Sequence, residues 1–171
     1  INVADKDYVL RVRQLCDEKG ILMIFDEVQT GIGRTGAMFA FKHYGITPDV
    51  MTLAKSLGGG MPIGAMVAAG KYADVLQPGT HASTFGGSPI VCSAGLAVFE
   101  AIKKEKLLLN ARQMGDYLKM LLLSLKDKYN FIKEVRGMAL MLGVELEMEG
   151  KQIVQDCIAK GLLINCTHDK V

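Results

Sequence analysis

The chain has 171 residues, half of them hydrophobic and 22% charged, so it carries enough apolar content for a sizeable core and falls outside the disordered classes. Its net charge is only +2 and its basic residues are scattered; the densest run, Lys103-Lys104-Glu105-Lys106, reads as a solvated helix end, which excludes a dedicated nucleic-acid surface.

Asp5 or Asp7 is placed to cap a first helix, with Tyr8, Leu10, Val12 and Leu15 as apolar positions and Gly20 as the stop. Residues 21–25, I-L-M-I-F, form an unbroken apolar run of the kind found in strands buried on both faces. Helix, glycine, buried strand is the rhythm of a parallel α/β sheet. Two more strands are expected at residues 50–54 and 65–69, each bounded by Gly or Pro. Residues 83–89 read as a polar, glycine-bearing loop, followed by helices over 90–105 and 107–128; Leu108, Met114, Leu118, Leu121, Leu122 and Leu125 give the second a broad apolar face, with Met114 and Met120 as core filler. Strands at 131–136 and 139–146 around a turn at Gly137, a helix at 153–160 and a strand at 162–164 then suggest a second, α+β unit beginning near residue 110.

Four cysteines, at 16, 92, 157 and 166, have no Cys-x-x-Cys spacing and no pattern shared with the three histidines. Reduced, mostly buried thiols are expected, with neither a metal site nor a disulfide framework. There is no signal-peptide pattern, and no apolar run reaches the roughly 20 residues of a membrane span, so a cytoplasmic location is expected. The chain opens without Met and stops after an apolar run, and both ends read as cut.

The most conspicuous motif is G-I-G-R-T-G at residues 31–36, which matches the G-x-G-x-x-G of dinucleotide-binding proteins. In that fingerprint the first glycine turns directly at the strand end and the third opens a helix packed on the sheet. Here five residues, two of them the acids Asp26 and Glu27, separate the strand from Gly31, and the helix that could follow is short. Carboxylates at that mouth would repel a pyrophosphate, so the glycines read better as a close-packed loop beside a site.

Asp26 ends a strand where open α/β sheets place their ligands. A desolvated carboxylate there needs a cation, and a protonated ring nitrogen would serve; a structural acid capping the next turn is the competing reading. Lys55, in T-L-A-K-S-L-G-G-G, also follows an apolar strand, and a lysine in a dry crevice becomes an amine fit for Schiff-base chemistry, though taken alone it reads as a surface lysine. The run at 58–60 lacks the G-K-[ST] ending of a P-loop. Ser83 and Thr84, in H-A-S-T-F-G-G ahead of a helix, offer hydroxyls and backbone N–H groups to an anion such as phosphate. An acid for a ring nitrogen, a lysine for an aldehyde and a hydroxyl loop for a phosphate together fit pyridoxal phosphate.

The segments I-F-D-E-V-Q-T-G-I-G-R-T-G, P-D-V-M-T-L-A-K-S-L-G-G-G-M-P-I-G-A and H-A-S-T-F-G-G-S-P, in this order and spacing, resemble the class III (ornithine-type) aminotransferases over essentially all 171 residues. The resemblance implies an α/β chain of fold type I, the aspartate aminotransferase-like fold of pyridoxal-phosphate-dependent transferases. Residues 1–109 would be the C-terminal half of the large, mixed-sheet cofactor domain and residues 110–171 the start of a small α+β C-terminal domain. It implies that Asp26 pairs with the pyridine nitrogen, Val28 packs on a ring face, Gln29 lies near the ring hydroxyl, and Lys55 holds the cofactor and shuttles the proton. Thr84, with Ser83 beside it, would reach the cofactor phosphate of the neighbouring subunit in a homodimer. The activity implied is amino transfer from a small-molecule donor to 2-oxoglutarate. The phrasing around Gly31 and Leu57 leans to members that use N-acetylornithine in arginine biosynthesis, while users of ornithine, succinylornithine, 4-aminobutyrate or putrescine share the core motifs. Ser88 and Ser56 depart from the Asn and Gly common in relatives, and both are small and polar. By the same resemblance the chain is an internal fragment, inactive alone, without the other phosphate-binding loop and the carboxylate-binding arginine. A noncatalytic protein that keeps the fold is a further alternative, set against the intact Asp26, Lys55 and Thr84.

Overall fold

The first helix shows why the chain begins to fold where it does. In the computed structural model, which describes residues 1–171, α1 spans Lys6–Lys19. The Asp5 carboxylate caps it by accepting the backbone N–H groups of Asp7 and Tyr8 at 2.8 and 3.3 Å. It ends at Gly20, whose left-handed φ of +64° lets its N–H return to the last carbonyls. The face carrying Val9 and Cys16 is buried with Met23, and Val12, Phe25, Tyr44 and Ile46 pack around them.

The chain divides into two compact units, Ala4–Ala111 and Ile1–Val3 with Arg112–Val171. The first holds a three-stranded sheet in the order β1-β2-β3, made of β1 (Ile24–Asp26), β2 (Val50–Leu53) and β3 (Ala65–Ala68). β1 runs parallel to β2, with Ile24 opposite Val50 and Asp26 opposite Thr52. β3 is antiparallel to β2, because the connection over residues 54–64 is too short to hold the crossover a parallel return requires. Helix α2 (Pro89–Lys104) starts with a proline at its first turn. It contributes Ile102 to a core with Ile32, Leu53 and Leu57, and Val98 and Phe99 pack against that core.

The apolar run 21–25 was expected to be a strand buried on both faces. Only its last two residues join β1, and Ile21, Leu22 and Ile24 stay exposed, since β2 is the only strand that pairs with β1.

In the second unit β4 (Ile132–Met138) and β5 (Met141–Leu146) form an antiparallel hairpin, and α4 (Lys151–Ala159) follows. Ile132, Val135 and Leu146 make its core, with Leu122, Val144 and Ile153 against them. Leu122 comes from α3 (Leu107–Lys128). At Gly115 of that helix a Cβ would lie 2.3 Å from the Ala139 backbone, so the helix meets the hairpin turn main chain to main chain. Gly137, expected to make the turn, instead lies inside β4 with φ +131°, where a Cβ would come within 2.0 Å of the Met141 carbonyl. The turn itself falls at Ala139 and Leu140.

Two further expectations are corrected here. Residues 162–164 form no strand: they are exposed coil, and no free edge of the β4-β5 sheet pairs with them. The broad apolar face of α3 is mostly uncovered within the chain, with Met114, Leu118, Met120, Leu121 and Leu125 exposed, so the methionines are not core filler here. Of the four free thiols only Cys16 is buried, and Cys92 is exposed.

Candidate active site

Asp26 is the last residue of β1 and Lys55 lies two residues past the end of β2. Because the strands are parallel and Asp26 sits opposite Thr52, both groups emerge at the same C-terminal end of the sheet. One carboxylate oxygen of Asp26, Oδ1, accepts two bonds: from the Val28 N–H at 2.9 Å and from the Thr52 hydroxyl at 3.2 Å. No protein group bonds its Oδ2. The carboxylate is therefore oriented by one oxygen and open at the other. In this chain Asp26 is exposed, not desolvated as the strand pattern suggested.

Lys55 opens a short 3₁₀ turn, Lys55–Gly58, after the extended Ala54, and its φ is +47°. A side chain in that left-handed region is strained by about 1–2 kcal/mol. Leu57 anchors the turn in the core, and its N–H bonds the Ala54 carbonyl at 3.0 Å. The glycines after it serve packing. A Cβ at Gly58 would lie 2.8 Å from Ile63, and one at Gly59 2.9 Å from Val98 of α2. Lys55, Ser56, Gly59 and Gly60 border an open cleft of about 530 Å³, whose other walls are Ile32, Val98, Ala101, Ile102 and Leu107. Asp26, Val28 and Gln29 are not among its walls.

Val28 is half-buried and Gln29 exposed, in the turn that follows Asp26. Ser83 and Thr84 lie on the exposed loop before α2. The Ser83 hydroxyl accepts the Gly86 N–H at 3.0 Å, whereas the Thr84 hydroxyl has no bond within the chain. Nothing in the chain links this loop to Asp26 or Lys55. The structure thus brings Asp26, Val28, Gln29 and Lys55 to one end of the sheet and leaves Ser83 and Thr84 facing outward.

The glycine loop at 31–36 has no anion-binding geometry. The N–H groups that would cradle a phosphate are spent internally: Gly31 on Glu27, Gly33 on Met38, Arg34 on Gly31 and Gly36 on Gly33. Only the 3₁₀ turn Ala40–His43 follows it, so there is no helix N-terminus to face a pyrophosphate.

Glu27, next to Asp26, went unassigned in the sequence reading. It is 1% exposed, the most completely buried large side chain of the molecule. Its Oε2 accepts the Thr30 hydroxyl at 2.6 Å and its Oε1 the Phe41 N–H at 2.9 Å. Burial, and then the negative charge of Glu27, push the Tyr44 phenol above its ordinary pKa. The available signal was strand alternation: adjacent acids at a strand end face opposite ways, so one of the pair had to turn inward.

At the other end of the sheet Asp49, 4% exposed, accepts the Met23 N–H at 2.9 Å and the Arg13 guanidinium at 2.7 Å, with Lys71 at 3.0 Å. The Met23 hydrogen bond and then the two cations hold its carboxyl well below the usual carboxylate range, against the opposing effect of burial.

Comparison with known proteins agrees with this geometry. The family described as aminotransferase class-III matches residues 1–171, and the chain belongs to that family. Its members depend on pyridoxal phosphate, and the fold is that of the fold type I enzymes. The chain is 55% identical to the acetylornithine aminotransferase of Methanocaldococcus jannaschii, covering 100% of this chain and 43% of that protein. It is 49% identical to that of Caldanaerobacter subterraneus, covering 100% and 44%. Among solved structures, an ornithine aminotransferase from Toxoplasma gondii in which PLP partly occupies the active site superposes with a TM-score of 0.94 at 36% identity, over 99% of this chain and 41% of that one. The acetylornithine aminotransferase of Elizabethkingia anophelis gives 0.92 at 33%, over 98% and 43%. The chain spans less than half the length of these relatives. No helix is long and apolar enough to cross a membrane.

Proposed function

We propose that the full-length protein containing this chain is a transaminase that moves the terminal amino group of N-acetylornithine to 2-oxoglutarate in arginine biosynthesis. The observation that carries the reading is the pairing of Asp26 with Thr52, which sets an oriented, half-open carboxylate beside the strand that delivers Lys55. The donor set fits pyridoxal phosphate: an open carboxylate oxygen for a ring N–H, a primary amine for an aldehyde, and an unbonded hydroxyl at Thr84 for a phosphate. When bound, the cofactor supplies an aldehyde that takes up the amino group and a ring that accepts the electrons left on the substrate carbon.

The chain's residues then have distinct tasks. Lys55 Nζ would hold the cofactor through its aldehyde and, once freed, would serve as the base that takes up and returns the proton of the substrate carbon. Asp26, through its free Oδ2, would hold the ring nitrogen and favour its protonated form. Val28 would pack against the ring and Gln29 would lie near its hydroxyl. Thr84, with Ser83, reaches the phosphate held by a second subunit, which the outward-facing loop favours, since Phe85 beside it is 84% exposed. The active unit is then a cytoplasmic homodimer. Residues 1–109 belong to the large cofactor domain and 110–171 to the small one. The amino donor is assigned from the identity to acetylornithine aminotransferases.

The test is borohydride reduction of the full-length protein loaded with pyridoxal phosphate, followed by peptide mapping and by amino-donor assays. Dominant labelling of Lys55 and faster turnover of N-acetylornithine than of ornithine are expected. No preference for Lys55 removes the reading, and a preference for ornithine reassigns the donor.

A further inference from the structure

We propose that Glu27 is a positioning residue for the cofactor wall, acting through Thr30 to fix the turn that carries Val28 and Gln29; this rests on the transaminase reading above. Glu27 makes four hydrogen bonds in four directions. Its N–H donates to the Thr52 carbonyl of β2 at 2.9 Å and its carbonyl accepts the Gly31 N–H at 2.9 Å. Its two carboxyl oxygens take the Thr30 hydroxyl and the Phe41 N–H. The turn at 28–30 is thus fastened at its start by Asp26, which holds the Val28 N–H, and at its end by Glu27.

The bonding is unusually demanding for a turn. A buried carboxyl group is costly unless both oxygens are satisfied, and here each has one short donor. The space is closed as well: a Cβ on Gly31 would lie 2.8 Å from the Glu27 carbonyl and 3.2 Å from its Cβ. A hydrophobic residue would fill the same core with less penalty, but it would leave Thr30 and Phe41 without their acceptors. What the acid supplies is a fixed distance between β1, the turn and the 3₁₀ turn Ala40–His43 that follows the glycine loop. Val28 and Gln29 sit between the two fastened ends, so their placement against a ring follows from this bonding.

The experiment uses the full-length protein loaded with pyridoxal phosphate, at a temperature where circular dichroism shows every variant folded. Cofactor dissociation constants and the visible absorption band are measured for Glu27→Gln, Thr30→Val and Thr30→Ser. Thr30→Val, which keeps the shape and removes the donor, is expected to weaken cofactor binding roughly five- to tenfold, the scale of one hydrogen bond, and to shift the band. Thr30→Ser is expected to restore both. A folded Thr30→Val with wild-type affinity and band overturns the proposal, and decides it alone if Glu27→Gln does not fold. If the wild-type protein loads no cofactor at Lys55, the transaminase reading falls and this inference with it; if wild type loads and Thr30→Val matches it, only the role of Glu27 is lost.

Discussion

Asp49 and Asp26 stand at opposite ends of one pair of parallel strands, and they show two uses of the same side chain. Asp49, just before β2, is buried, with two cations and a backbone N–H on its oxygens. Asp26, at the end of β1, places both its protein bonds on a single oxygen. One carboxylate has both oxygens engaged by donors, while the other is oriented by one oxygen and leaves the second unused. Residue type does not separate the acid spent on structure from the one proposed to meet the cofactor; the free oxygen does.

The largest effect that tests this contrast is on turnover. Asp26→Asn in the full-length protein is expected to lower kcat by on the order of a thousandfold, through loss of the charge opposite the ring nitrogen, with the unfolding midpoint in urea nearly unchanged. A variant that stays active would place the functional acid elsewhere. Asp49→Asn is expected to do the reverse: a stability loss of about 3 kcal/mol in urea unfolding, because Arg13 loses its buried anion and keeps only the exposed Asp17, with cofactor binding by the folded fraction intact. Equal losses of stability in the two variants would erase the distinction.

The smallest effect is one of pH. Asp49 is held below its unfolded value, so its stabilisation is complete above that value, about 3.9, and is lost as pH falls from there toward the folded value. Urea midpoints measured between about pH 5 and 2.5 are therefore expected to fall more steeply for wild type than for Asp49→Asn.

The residues at the strand ends were legible in the sequence because short apolar runs bounded by Gly and Pro locate strand ends well. That logic placed Asp26 and Lys55 at the same end of the sheet and set aside the glycine fingerprint. It left Glu27 unassigned: alternation turns one of two adjacent acids inward, but the partners that satisfy it, Thr30 and Phe41, are known only from the fold. Nor could it see the Asp49 cluster, whose partners come from α1 and from beyond β3. Alternation and apolarity overstated structure where a strand lacked a neighbour: residues 21–23 and 162–164 carry strand-like side chains, yet no ladder pairs with them. Gly137 misled for a related reason, because its left-handed φ serves a close approach within β4 and not the turn.

The left-handed backbone at Lys55 has a last consequence. A glycine at that position would be free of the strain the lysine bears, offset in part by a floppier unfolded chain that costs about 0.4–1 kcal/mol. Stability alone therefore does not account for a lysine there. The chain keeps its amine at a point where the fold would be at least as comfortable without it, so a scaffold redesigned for stability alone would tend to discard the amine proposed to hold the cofactor.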